Sequence, residues 1–185
     1  NACGVPDVTV IAKIGFDHMA ILGDTLAKIA AEKAGIIKHG TALVLESQEK
    51  EAMDVLNKAA ERADIKTIKV VNLDEIRILP QKDGKQCFSY AGYDAVTMKM
   101  LGVHQYENAV AAMLAAELFF EKYFAGKKNV PERKALQHAI REGIDRTQWM
   151  GRMELVSNDP FFLMDGAHNS NGVEALKKSL ETMYP

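Results

Sequence analysis

The sequence has few cysteines, no excess of either charge and no long apolar run, and each absence removes a class of protein. Its two cysteines, Cys3 and Cys87, lie far apart. They fit neither a disulfide framework nor a paired zinc motif, which is the usage expected in a reducing cytosol. With 25 acidic and 23 basic residues the formal net charge is -2, so no basic field points to nucleic acid. No apolar run approaches the roughly 20 residues needed to span a bilayer. The opening segment NACGVPDV has neither a charged n-region nor an apolar h-region, so no signal peptide is expected. A phosphate loop of the form G-x-x-x-x-G-K-[ST] is lacking, and neither an internal repeat nor a low-complexity segment is present. The sequence has no initiator methionine, starts just before an expected strand and stops inside an expected helix. It therefore reads as part of a longer protein.

What is present is enough to build a core: 48% of the 185 residues are hydrophobic. Residues 8–14 read as a buried strand and 24–34 as a helix, with Leu26, Ile29, Ala30 and Ala34 at helical spacing. Asp24 is placed to cap that helix and Gly35 to end it. Residues 41–45 read as a second buried strand, 48–63 as an amphipathic helix, and 68–71 as a third strand. Strand and helix in alternation argue for a parallel, doubly wound α/β sheet. The pattern then changes. Short strands at 76–79, 86–90 and 95–100, separated by Asp83-Gly84 and Ala91-Gly92, argue for antiparallel hairpins. Helices follow at 106–123 and from Pro131 to 142. After Gly151-Arg152 come a strand pair at 153–156 and 161–164 and a helix at 172–182, read as the opening of a separate small domain.

Five motifs carry candidate chemistry. Asp17-His18 follows the first strand, at the end where side chains open into the crevice beyond a parallel sheet. Taken alone, His18 suits zinc or a structural role. Lys33, on the charged helix, reads as a solvated lysine. His104-Gln105-Tyr106-Glu107-Asn108-Ala109 reads as a helix N-terminus rich in polar residues. Gly151-Arg152 lies in a linker. Asp165-Gly166-Ala167-His168-Asn169 follows a strand and precedes a helix, which fits either a ligand crevice or a simple Asx turn.

The run VTVIAKIGFDHMAILGDTLAKIAAEKAGIIKHG at the start resembles the folylpolyglutamate synthase/dihydrofolate synthase family, within the Mur ligase superfamily. That family's pattern is roughly S-x-x-x-I-G-L-D-H-x-x-x-L-G-x-T-x-x-x-I-A-x-E-K-A-G-I-I-K, and nearly every fixed position is met. The family's H-Q-x-x-N-A, P-G-R and D-G-A-H-N follow in the same order, with Met150 standing where proline is usual. The resemblance implies that His18 ligates magnesium and that Lys33 carries a carbamate which helps hold a second magnesium. A carbamate would supply the oxygen ligands magnesium prefers, and forming it calls for a lysine of lowered pKa, hence partly buried. It further implies that Asn108 meets the adenine of ATP, Arg152 its phosphates, and Asp165 the nucleotide near the ribose. His168 would line the same cleft.

The expected fold is thus α/β. Residues 1–150 would form the later part of a Mur-ligase-type central ATP-binding domain with an antiparallel hairpin region. Residues 151–185 would open a smaller, Rossmann-like C-terminal domain. The expected activity is ATP-dependent joining of L-glutamate to folate, to dihydropteroate or to both, through an acyl phosphate, with ATP and Mg2+ as cofactors. The protein would be cytoplasmic and monomeric, with no nucleic-acid or membrane partner. These 185 residues alone would be inactive, because the phosphate loop and the pterin-binding region lie elsewhere. The alternatives are another Mur-type ligase acting on a cell-wall precursor and a non-catalytic nucleotide-binding module.

Overall fold

A computed structural model describes residues 4–16 and 23–184. His18 and its neighbour Asp17 lie outside the described residues. The chain forms two compact units, one of Asn1–Asn72 with Val110–Val130, the other of Leu73–Ala109 with Pro131–Pro185.

The first unit is a parallel sheet of three strands, β1 (Val8–Ile11), β2 (Ala42–Leu45) and β3 (Ile68–Val70), in that order, with the helices α1 (Leu26–Ala34) and α2 (Lys50–Arg62) between them. Val8 pairs with Ala42 and Ile11 with Leu45. The central strand is the most apolar of the three. Leu43, Val44 and Leu45 are all fully buried, as expected of a parallel strand covered on both faces. Ile29, Ala30, Leu43, Leu45, Ala52 and Leu56 belong to one core. Each buried Leu or Ile contributes about 1.5–3 kcal/mol relative to exposure.

Local details depart from the sequence reading. The strand expected over 8–14 ends at Ile11 because side chains replace the ladder beyond it. Glu46 Oε2 accepts from Lys13 N at 2.7 Å and Gln48 Oε1 from Ile14 N at 2.8 Å. Thr25, not Asp24, caps α1, accepting from Lys28 N. Asp24 instead pairs with the Lys28 ammonium at 2.7 Å, one turn along.

The second unit holds an antiparallel meander of β4 (Arg77–Lys82), β5 (Lys85–Tyr90) and β6 (Tyr93–Met98). The expected Asp83-Gly84 turn forms with φ of 52° and 71°, the positive pair a tight hairpin needs. The helix α3 (Gln105–Phe124) begins in this unit and continues into the other. The helix α4 (Arg133–Arg146) packs on β6. Asp145 accepts from both Lys85, at 2.7 Å, and Thr97, pinning α4 to the meander. Lastly come the hairpin β7 (Glu154–Asn158) with β8 (Phe161–Met164) and the helix α5 (Ser170–Met183). Ser179, fully buried on α5, accepts from Val103 N at 3.0 Å. This bond holds the segment leading into α3 against the last helix. Asn108, Arg152, Asp165 and His168 all fall within this second unit.

Candidate functional site: a turn cluster around Asp165

β8 ends at Met164, and the next residue, Asp165, organises the turn that follows. Its Oδ1 accepts from Ala167 N and its Oδ2 from Met153 N, both at 2.8 Å. The first bond is the Asx turn that the D-G-A sequence allows. The second reaches across the hairpin mouth to Met153, which is buried with φ of 47°. Gly166 N donates to Gly151 O at 2.8 Å, and Gly151 N donates to Glu154 Oε2 at 2.8 Å. These bonds fold the loop carrying Gly151-Arg152 onto the loop carrying Asp165-Gly166.

Arg152 lies beside this turn. A Cβ built on Gly166 would lie 3.8 Å from Arg152 Nη1 and 3.4 Å from Gly151 O, so the guanidinium is within van der Waals reach of the turn. Arg152 is exposed and Asp165 partly buried. A planar cation beside a carboxylate whose oxygens are anchored by backbone amides suits an anionic ligand with polar neighbours. His168 follows the same turn. Its Nδ1 is 2.8 Å from Gly166 O, and the ring is exposed. Asn169 then caps α5 through Gly172 N.

The start of α3 supplies the other half of the cluster. Gln105 Nε2 donates to His104 Nε2 at 3.0 Å, and Asn108 Nδ2 donates to Gln105 Oε1 at 3.0 Å. Gln105 is only 7% exposed, whereas Asn108 is open to solvent. Gly102 is close to both parts, since a Cβ there would lie 2.8 Å from His104 Cε1 and 3.0 Å from Met153 Sδ. Burial holds His104 below the ordinary histidine value, the Asp165 charge pulling it up and Arg152 pushing it down. Both charged groups are therefore within electrostatic reach of the imidazole. Asn108, Arg152 and Asp165 thus gather round one cluster, with His168 at its edge.

Lys33 belongs to the first unit. It occupies the last turn of α1 and is exposed, while Ala34 and Ile37 beside it turn inward. The partial burial expected of a carbamate-forming lysine is not found: Ala34 and Ile37 go to the core instead of over the amine, and Ile36 is itself exposed. Among the described residues no cluster of three or more His, Cys, Asp or Glu could hold a metal ion. These residues do not by themselves fit a magnesium site.

Two members of the cluster had no role in the sequence reading. His104 and Gln105 were visible only as part of a polar helix start. The i and i+3 spacing of Gln105 and Asn108, which sets them on one helix face, was the available signal.

Comparison with known proteins agrees with this architecture. The Mur ligase middle domain matches residues 2–116. The dihydrofolate synthase/folylpolyglutamate synthase of Bacillus subtilis is 35% identical over 97% of this chain and 41% of its own length. The structure of the Mycobacterium tuberculosis folylpolyglutamate synthase complexed with ADP is 30% identical, with a TM-score of 0.77 over 96% of this chain and 39% of that one. A solved FPGS-AMPPCP-folate complex shares the fold with a TM-score of 0.85 at 24% identity, over 97% of this chain and 43% of that one. The chain thus spans about two fifths of the length of these proteins. With a family match over more than half its residues, and relatives and folds from the folylpolyglutamate synthase/dihydrofolate synthase branch, the chain belongs to the Mur ligase family.

Proposed function

We propose that the full-length protein is an ATP-dependent ligase that joins L-glutamate to folate, to dihydropteroate or to both. The observation that carries this reading is the cluster in the second unit, where Asn108, Arg152 and Asp165 come together from three separate motifs. A carboxamide offers both donor and acceptor to an adenine edge. The exposed Arg152 fork is suited to phosphate oxygens and would offset charge as the γ-phosphoryl group transfers. Asp165, anchored by two amides, has lone pairs left on both oxygens to accept from a ribose hydroxyl. His168 would border the same ligand.

In this reading the substrate carboxylate attacks the γ-phosphate and ADP leaves. The glutamate amine then displaces phosphate from the acyl phosphate, giving the amide. Residues 1–150 would belong to the ATP-binding domain and 151–185 to the C-terminal domain. Mg2+ would neutralise phosphate charge when bound, with His18 and a carbamoylated Lys33 as its candidate ligands. No helix among the described residues is long and apolar enough to cross a membrane.

The test is ATP turnover by the full-length protein with dihydropteroate and with tetrahydrofolate, each with glutamate. Phosphate release that requires both the pterin acid and glutamate is expected. Turnover with neither acid would overturn the assignment.

A further inference from the structure

We propose that His104 and Gln105 are positioning residues that fix the polarity of the Asn108 carboxamide and so make the site choose adenine over guanine. This inference rests on the reading of Asn108 as the base-contacting residue and deepens it.

An asparagine amide is nearly symmetric in shape but opposite in hydrogen bonding at its two ends. Left free to flip, it would offer an acceptor or a donor to the same ligand atom with little preference. Here it is not free. Asn108 Nδ2 donates to Gln105 Oε1, and Gln105 Nε2 donates to His104 Nε2. Each donor has an acceptor, and the direction is the same at both links. The chain begins at an imidazole that accepts through Nε2 and ends at an exposed carboxamide whose Oδ1 has no partner among the described residues. Gln105 is buried and closely held at 7% exposure, so its flip would break two bonds inside the fold.

The polarity depends on the tautomer of the histidine. A neutral imidazole that accepts at Nε2 carries its proton on Nδ1, and Nδ1 is buried with no hydrogen-bond partner. Moving the proton to Nε2 would make that nitrogen a donor. Gln105 would then have to turn its oxygen toward His104 and its amine toward Asn108, and Asn108 would reverse in turn. Burial disfavours the imidazolium, the other state that would place a proton on Nε2. With the relay as it stands, Oδ1 is the end of the exposed Asn108 carboxamide left to meet a ligand. Adenine offers an amino group as a donor at C6, which Oδ1 accepts. Guanine has a carbonyl oxygen at C6, so two acceptors would face one another. An asparagine holding both a donor and an acceptor to adenine discriminates between bases by roughly tenfold to a hundredfold.

The experiment measures equilibrium binding of non-hydrolysable ATP and GTP analogues to the full-length protein, alongside kcat/KM for ATP and GTP. In the wild type, ATP should be preferred by about tenfold or more. In Gln105→Leu the relay is cut, and the ratio of the two Kd values should fall by about tenfold, toward unity, rather than both affinities dropping in parallel. His104→Phe, which removes the Nε2 acceptor, should lower the ratio in the same way. Gln105→Glu, which can only accept from Asn108, should retain it. A ratio unchanged in a folded Gln105→Leu or His104→Phe, or lost in Gln105→Glu, would overturn the relay. If Gln105→Leu does not fold, the other two variants decide. Failure of the underlying reading looks different: the wild type would bind neither analogue, whatever the variants do.

Discussion

Asp165 shows how a single carboxylate can hold a loop together. Its two oxygens each take a backbone amide, from Ala167 and from Met153. Asp165→Asn leaves one acceptor oxygen for two donors and points an amine at an N–H. A hydrogen bond to a charged group contributes about 1.5–3 kcal/mol, so Asp165→Asn should lower the unfolding free energy by about that much. Denaturant titration of the two full-length proteins measures it. His104 gives a pH signature. Its folded value is held below the ordinary 6.5 by burial, so as pH falls the unfolded chain takes up the proton first. The associated stability is whole above about 6.5 and is lost as pH drops through the folded value. Unfolding midpoints from pH 7 to pH 5 should fall less steeply in His104→Phe than in the wild type, and identical slopes would show that the imidazole is not desolvated. Asp165 was legible in the sequence because an aspartate followed by glycine between a strand and a helix has few uses. Gln105 was not, because a buried glutamine acts through geometry that composition and spacing do not carry.

At the level of elements, order and type of strand and helix could be read from periodicity, while their ends could not. β1 stops three residues short of its apolar run because Glu46 and Gln48, more than thirty positions away, take over its amides. No local window contains that information. The capping of α1 slipped by one residue for a related reason: Asp24 is a good cap by type, but it is drawn into an ion pair with Lys28 and leaves Thr25 to accept. The same helix carries the comparison that tests the carbamate. Lys28 and Lys33 differ by five positions and both are charged, yet only Lys33 matches the carbamoylated position of the family. In the full-length enzyme Lys33→Ala should lower kcat/KM by about a hundredfold or more, on the scale of a lost transition-state charge contact. Lys28→Ala, which breaks an exposed ion pair, should change little. Partial rescue of Lys33→Ala by an added short-chain carboxylic acid would accord with a missing carboxylate. Equal, small effects of the two substitutions would reduce Lys33 to a surface lysine.

At the level of the whole molecule, the base and phosphate contacts proposed here are only part of what phosphoryl transfer needs. Positioning and charge stabilisation supply nearly all of that catalysis, and the sequence holds no phosphate loop. Residues 1–185 by themselves should therefore show no magnesium-dependent, folate-stimulated ATP hydrolysis above background in a phosphate-release assay. Measurable turnover would mean that the γ-phosphate is held by residues with no role assigned here.

The two compact units are each made of two separated stretches, so the polypeptide passes from one to the other after Asn72, after Ala109 and after Val130. No single cut in the coding sequence can part them. A stop codon anywhere within 73–109 removes the Val110–Val130 stretch from the first unit and the whole stretch from Pro131 onward from the second. The start of α3 and the rest of that helix fall to different units, so moving either whole unit into another scaffold would need at least two junctions.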